Sequence, residues 1–403
     1  METLRIAATA LAANKLRSFL TLLGVIIGVM TVVSVVSIIS GLNNYIAEKV
    51  FTLNPDVYIV TQFGIITSRE AFLEAVKRKK IDWNDYEAIR QRCHNCDMIG
   101  VNENSRQTVK SGSHKLSRVR VQGGTPNMAE INNLDLEEGR FFTSAENAHS
   151  DPVTIIGTDV RDEVFGKLDP MGRLLWIGDH PFRVIGLLQK QGSVLGRSQD
   201  NQLWIPINAF RKQFGIHSTL DLFIRARGGV PGIERSIDDV RTILRSRRRT
   251  SFRGEDPFGV VSAEAVQALW KSISAAGFAV MIFISGISLV VGGIVITNIM
   301  LVSVVERTRE IGIRRALGAR RRTIQLQFLT ESILLALGGG IVGVLLGALI
   351  SNVISSIFPL PTLVRPSLVI TGLMVAVITG VAAGYFPARR AANLSPIDAL
   401  RSE

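Results

Sequence analysis

Glu306-Arg-Thr-Arg-Glu-Ile-Gly-Ile-Arg-Arg-Ala-Leu-Gly-Ala-Arg-Arg-Arg322 is the stretch that decides the fold. Arg307, Arg309, Arg314, Arg315, Arg320, Arg321 and Arg322 stand against only Glu306 and Glu310, and long charge-free apolar segments lie close on either side. A basic island between two apolar spans is a cytoplasmic loop by the positive-inside rule. The loop is also patterned. Ile311, Ile313, Ala316 and Leu317 offer an apolar side, and Glu310 sits four residues before Arg314, the favourable order on a helix. Gly312 and Gly318 interrupt helix propensity, and Gly318 suits the left-handed position just past a short helix. The spacing predicts a short amphipathic helix held against the membrane face, its basic side in the cytoplasm. The plainer alternative is that the arginines only set topology.

Outward from the loop, residues 272–305 carry no charge, and Glu331 precedes a third apolar run from Ser332 to about Phe358. About 20 residues suffice to cross a bilayer, so the helix over 272–305 is expected to begin outside the membrane, as half of a stalk. Gly339, Gly343 and Gly347 recur at four-residue spacing, which favours close packing of helices. A fourth span over 367–386 follows an outer turn at Pro359-Leu-Pro361 and Arg365-Pro366. Near the other end of the chain, Phe19 to Ile39 is long enough for a first span, and Gly41-Leu-Asn-Asn is a poor signal-peptide cleavage site. Gly24 and Gly28 form a G-x-x-x-G there; close helix approach and the ordinary tolerance of membrane helices for glycine both account for it. Residues 1–18, with Leu4, Ala8, Leu11 and Lys15 at helical spacing, suit an interfacial helix. The expected topology has both termini and the loop inside and one large domain outside.

That domain, 41–271, reads as alternating short elements. Val57–Val60, Thr108–Lys110, Val119–Val121 and Leu220–Arg225 have strand character; Asp82 caps a helix to Arg90, and Gly232–Arg247 repeats apolar residues at helical spacing. Between them, Gly139–Phe142, Val153–Gly157, Val164–Gly166, Leu174–Ile177 and Phe182–Leu188 are separated by Gly, Asp and Pro, the mark of a β-rich insertion. The fold class expected is an α+β membrane protein: four transmembrane helices, with two β-α-β halves and a β-rich insertion between the first and second. Arg247-Arg-Arg249 is expected to be a solvated face.

The 403 residues are 47% hydrophobic with a net charge of +12. Much of the basic excess flanks the apolar spans, so orientation explains it and nucleic acid is not an expected partner. No G-x-x-x-x-G-K-[ST] occurs, so this chain has no phosphate-cradling loop and is expected to be non-catalytic, with no cofactor of its own. No Ser/His/Asp set stands out, and the spans lack the ionisable residues of a proton- or ion-coupled carrier. Cys93-His-Asn-Cys96 contains both cysteines. A structural disulfide is the favoured reading; free thiols, a metal site and a redox pair are the alternatives, and the absence of further ligands nearby argues against metal.

The loop sequence closely resembles the cytoplasmic loop of MacB/FtsX-type ABC-transporter permeases. So do Phe19-Leu-Thr-Leu-Leu-Gly24, the ending P-A-x-x-A-x-x-x-x-P-x-x-A-L-R over 387–401, and the order G-R-x-F, I-G, F-G-x-x-D-P-x-G, V-I-G within 139–206. The resemblance covers essentially the whole chain. It implies a Porter-like subdomain from 54–122 and 218–262, a Sabre-like one from 123–217, a coupling loop 306–331 and a cytoplasmic tail 387–403. It further implies that Glu306, Arg307, Glu310, Ile311, Ile313, Arg314, Leu317 and Gly318 dock on a separate cytoplasmic ABC ATPase, which binds ATP and Mg. A homodimer, or a heterodimer with a related permease, is expected. In tripartite exporters of drugs or peptides the family adds a periplasmic adaptor and an outer-membrane duct. The same fold also serves lipoprotein release and control of cell-wall hydrolases. A membrane-anchored sensor without an ATPase is the reading from another class, and the patterned loop speaks against it.

Overall fold

The computed structural model describes residues 15–46, 54–194, 196–215, 219–251, 253–357, 362, 365–395 and 399. The expected interfacial helix over 1–14, the outward continuation of the first span through 47–53, and the turn at Pro359–Pro361 lie outside the described residues. The chain divides into two compact units, one of Met1–Ile46 with Lys271–Glu403 and one of Ala47–Trp270.

The first unit is built on α1 (Lys15–Tyr45), and the second opens with β1 (Val57–Thr61), α2 (Arg69–Lys77) and α3 (Trp83–Arg92). Strands β2 (Cys96–Ser111) and β3 (His114–Gly124) form a long hairpin closed by Gly112-Ser113, where Gly112 takes the left-handed φ of +58° that a two-residue turn needs. Then come β4 (Leu136–Gly139), β5 (Val153–Ile156), β6 (Leu174–Ile177), β7 (His180–Leu188), the short pair β8 (Ser193–Val194) and β9 (Arg197–Ser198), β10 (Gln202–Pro206) and α4 (Ile207–Phe214). The unit closes with β11 (Asp221–Ala226), α5 (Ile233–Arg247) and β12 (Gly259–Ser262).

Ten of these strands make one sheet, ordered β12-β1-β11-β2-β3-β10-β5-β7-β4, with β6 on β2 and β7. In its first four strands, β11 lies between β1 and β2, and β1 lies between β11 and β12, all antiparallel neighbours. Each helix-linked strand pair is therefore split by a strand of the other, the interleaved form of two β-α-β halves. The insertion continues the same sheet, because β2 pairs with β11 from Cys96 to Asn102 and with β3 from Asn102 to Ser111. Strands β5 and β10 are buried at every position, as strands covered on both faces should be. Tyr58, Ile89, Leu222, Ile224, Val240 and Leu244 fill the core of the interleaved half, and Phe182, Val184, Leu203, Ile205 and Phe210 that of the insertion.

Three expectations need correction here. Val164 and Phe165 belong to a helical turn, Arg161–Phe165, which tucks both side chains into the insertion core. Strand β4 ends at Gly139, so Arg140–Phe142 are not part of it. The run Arg247–Arg249 is a solvated face at Arg247 and Arg249 but not at Arg248. The Arg248 side chain is 5% exposed and donates to Asp85 Oδ2 at 2.6 Å, to the Lys79 and Lys80 carbonyls and to Pro257 O at 2.6 Å. Arg247 Nε donates to Asp85 Oδ1 at 2.8 Å although the residue is exposed, as Arg249 is. A charge run hides the difference, because helix α5 ends at Arg247 and turns its successor inward.

The unit of Met1–Ile46 and Lys271–Glu403 contains α1, most of α6 (Ala263–Glu306), the short α7 (Thr308–Ala316), α8 (Arg321–Ile357) and α9 (Pro366–Ala392). The helices α1, α6, α8 and α9 are long and apolar enough to cross a membrane. With lipid tails as apolar as leucine, such helices associate by close approach at small residues. A Cβ built on Gly24 would lie 2.6 Å from the Gly292 Cα on α6, and one on Gly28 2.7 Å from Leu289 Cγ. Gly339, Gly343 and Gly347 turn instead toward α1, where a Cβ on Gly343 would meet the Ile26 carbonyl at 2.9 Å. On the far side of α8, Gly340 lies against Ala376 of α9, and Gly380 and Gly384 of α9 lie against Ala336 and Ser332.

The fourth helix runs through Pro387 and on to Ala392, beyond the expected end at Phe386. A proline cannot donate to the carbonyl four residues back. That carbonyl, Ala383 O, accepts from Thr297 Oγ1 of α6 at 2.9 Å, so the orphaned acceptor is satisfied by a neighbouring helix.

Candidate functional site

The basic loop folds as α7, nine residues between the charge-free helices α6 and α8. Its entry is held by Thr308 Oγ1, which donates to Val304 O and Val305 O at 2.9 and 2.8 Å. Its exit is a complete left-handed cap. Gly318, with φ of +94°, donates to Arg315 O at 3.1 Å, and Ala319 N donates to Arg314 O at 3.0 Å. These two bonds satisfy carbonyls that a helix end leaves open, and they fix the direction in which the chain re-enters α8.

The two faces of α7 are chemically distinct. Ile311 is 3% exposed and packs with Val304, Ile324, Phe328, Ala388, Ala391 and Ala392. It was expected among the docking residues; it points instead into the protein's own core, because it sits half a turn from Ile313 on so short a helix. Gly312 is buried beside it. Ile313 and Leu317, one turn apart, face outward at 45% and 84% exposure. Arg314 donates to Gln327 Oε1 at 2.7 Å and pairs with Glu310, while Arg307 lies 3.3 Å from Glu331 at the head of the third apolar run. Glu306, Arg309 and Glu310 are exposed around the apolar pair. The arrangement is a rigidly mounted helix that offers a small apolar surface inside a charged rim. Nothing in it provides a nucleophile, an acid–base pair or a phosphate cradle.

Of the residues singled out in the sequence, Glu306, Arg307, Glu310, Ile313, Arg314, Leu317 and Gly318 are together on or beside α7. Gln327 and Ala399, which complete its seat, were missed. Gln327 gives no signal between the arginines and Glu331, and Ala399 belongs to the ending already quoted. Gly380 and Gly384 were missed too, although their G-x-x-x-G spacing was there to be read.

The two cysteines lie far along the chain from the loop, in the unit of Ala47–Trp270, and are bonded to each other. Cys93 caps the C-terminal end of α3, donating its N–H to Ile89 O at 2.8 Å, and Asp239 Oδ2 accepts from Asn95 N at 3.0 Å and from Asn95 Nδ2 at 2.9 Å. A redox-active C-x-x-C is activated by a helix N-terminus or a nearby cation, which stabilises thiolate. Here a helix C-terminus and a carboxylate do the reverse, so the pair is suited to a fixed cross-link. Among the described residues no group of three or more His, Cys, Asp or Glu is placed to hold a metal. Replacing both cysteines with serine is expected to lower stability by about 2 kcal/mol, the loop-closure contribution of so short a loop. Thermal melting of the variant beside reduced and oxidised protein checks this: the variant should match the reduced form.

A model of the MacB-like periplasmic core domain matches residues 18–241, and a model of the FtsX-like permease C-terminal region matches residues 282–396. The whole chain aligns at 31% identity with 99% of the uncharacterized ABC transporter permease YknZ of Bacillus subtilis. It aligns at 33% identity with 62% of the macrolide export ATP-binding/permease protein MacB of Bdellovibrio bacteriovorus, so it spans about three fifths of that relative's length. Among solved structures, the periplasmic region of MacB from Actinobacillus actinomycetemcomitans is similar over 56% of this chain and 97% of that one, with 14% identity and a TM-score of 0.46.

Proposed function

The chain belongs to the MacB/FtsX-type ABC-transporter permeases, and on that premise we propose that it couples a separate cytoplasmic ATPase to a change of shape in the large domain. In this reading ATP and Mg are held by the partner, and α7 is the element on which the partner pulls. The observation that carries the proposal is the outward pair Ile313 and Leu317 on a helix whose other face is anchored by Ile311. A docking helix needs an apolar centre, a polar rim and a stiff mount, and α7 has all three.

The basic loop then lies in the cytoplasm with both termini, and the large domain lies outside. The bonded Cys93–Cys96 pair agrees with an oxidising compartment for that domain. Four spans are few for a transporter, so the working unit is a dimer, of this chain or with a related permease. The MacB relatives are named for macrolide export, which favours export as the task. A drug, peptide or other periplasmic substrate, an adaptor and an outer-membrane duct complete the reading that the family resemblance suggests. Substrate is moved by the outer domains and does not pass between the spans.

Changing Ile313 and Leu317 together to alanine is expected to weaken co-purification of the cognate ABC ATPase at least about tenfold, since truncated apolar anchors each cost more than about 1 kcal/mol of binding. Permease-stimulated hydrolysis in nanodiscs should fall with it. Arg321→Ala, at the exposed start of α8, should do little. A double variant that binds and stimulates the ATPase as the wild type does would sink the coupling role of α7.

A further inference from the structure

Ala399, beyond α9, packs on the inner face of α7 at Gly312. A Cβ built on Gly312 would lie 2.6 Å from the Ala399 Cβ, with the Ala399 backbone carbon at 3.5 Å and its Cα at 3.6 Å. Ala399 is itself 2% exposed, and its N–H donates to Ser395 O at 3.0 Å. Beneath this contact Ala388, Ala391 and Ala392 of α9 are buried in the same cluster as Ile311. Two motifs that lie far apart in sequence, the E-I-G-I of the loop and the P-x-x-A-L-R of the ending, thus meet through their smallest residues.

We propose that this contact is a clasp: Ala399, tied to Ser395 just past α9, sets the seating of α7, so that force applied to α7 reaches α9 as well as α6 and α8. The inference deepens the coupling role given to α7 and rests on it. Its physical basis is that Gly312 is not required by backbone geometry. Gly312 lies inside a helix with no left-handed φ, where alanine is the better helix former. Glycine is kept there at a cost to the helix, and the observed reason is the space that the Ala399 methyl group fills. Clash at that point would push α7 outward and loosen Ile311 from its pocket.

The test uses the full chain with its ATPase in nanodiscs. Gly312→Ala is expected to lower permease-stimulated hydrolysis about fivefold or more, the lower end of ordinary coupling between sites. Adding Ala399→Gly should restore most of it, because the pair then again holds one methyl group between them. Ala399→Leu should reproduce the defect with Gly312 intact. The physical contact is read separately, by thermal melting of the single and double variants as a mutant cycle. Non-additive stability with rescued hydrolysis supports the clasp. Additive stability overturns it, since the two positions would not be in contact. Non-additive stability with unchanged hydrolysis also overturns it, provided the Ile313/Leu317 double variant still uncouples; the coupling role of α7 then stands without the clasp. If neither set of variants changes hydrolysis, the coupling role and the clasp fall together.

Discussion

Arg248→Ala is expected to destabilise the large domain by about 3–5 kcal/mol, the usual loss when one partner of a buried ion pair is removed. Asp85 is 1% exposed, and without Arg248 its carboxylate keeps the half-exposed Arg247 and the Asp82 N–H. The loss is wider than one ion pair. Arg248 also gathers the carbonyls of Lys79, Lys80 and Pro257, which joins two stretches far apart in the chain. Arg248→Lys should recover only a fraction, because an ammonium cannot spread its donors over that fork.

The pH dependence has a definite sign. Burial pushes the Asp85 carboxyl up, but the hydrogen bond and charge of Arg248, the Asp82 N–H and Arg247 outweigh it, and the group is held below its ordinary value. A depressed folded-state pKa gives stability that is fully present above the unfolded value of about 3.9 and is lost as pH falls through the folded one. The gap in melting temperature between wild type and Arg248→Ala should therefore be widest near neutral pH and shrink below about pH 4. A gap that stays constant across that window would mean that Arg248 acts through its carbonyl contacts alone.

Gly24→Leu is expected to have the largest effect in the membrane-spanning unit: loss of a stably packed protein, beyond the about 1–3 kcal/mol typical of an over-packed core. The atoms opposite are the Gly292 Cα and N, at 2.6 and 2.9 Å from a built Cβ. These are backbone atoms and have no rotamer to change, so α1 and α6 must separate. Gly28→Ala is expected to be milder, because the atoms in its way belong to the flexible Leu289 side chain. Gly338→Leu, with nothing within 4 Å, serves as the neutral control. Yield and thermal melting of the three variants in one detergent check the order, and a Gly24→Leu protein as stable as Gly338→Leu would show that the α1–α6 approach is not tight.

These two cases also show what was legible in the sequence. Apolar runs and flanking arginines report the solvent that each segment meets, so the four spans, the loop helix and its left-handed end at Gly318 were readable. A capping residue such as Asp82 reports a helix start for the same local reason. Contacts between distant segments leave weaker traces. Gly24 and Gly28 were visible as a pair, but that their partners are Gly292 and Leu289 depends on how four helices assemble. Arg248 reads as one charge in a basic run, because its burial is decided by Asp85, far earlier in the chain. Ile311 and Ile313 look equivalent in composition; only the seating of α7 separates an inner anchor from an outer one. Ala399 is small and common, and its significance appears only when Gly312 is found opposite.

The single sheet bears on how this domain can be exchanged between relatives. By residue order, 123–217 is a cassette dropped between two halves, and a chimera would naturally be cut at its ends. The hydrogen bonds run otherwise. Strand β3 pairs with β2 on one side and β10 on the other, and β2 pairs with β6 as well as with β11. A cut at 122 would part β3, at Arg120 to Gln122, from its β10 neighbour, and β2, at Val109 and Lys110, from β6, and exposed unpaired strand edges invite association with other chains. A transplant meant to carry the insertion's specificity therefore has to take the whole hairpin, from about Cys96 onward, and the natural seam lies between β11 and β2.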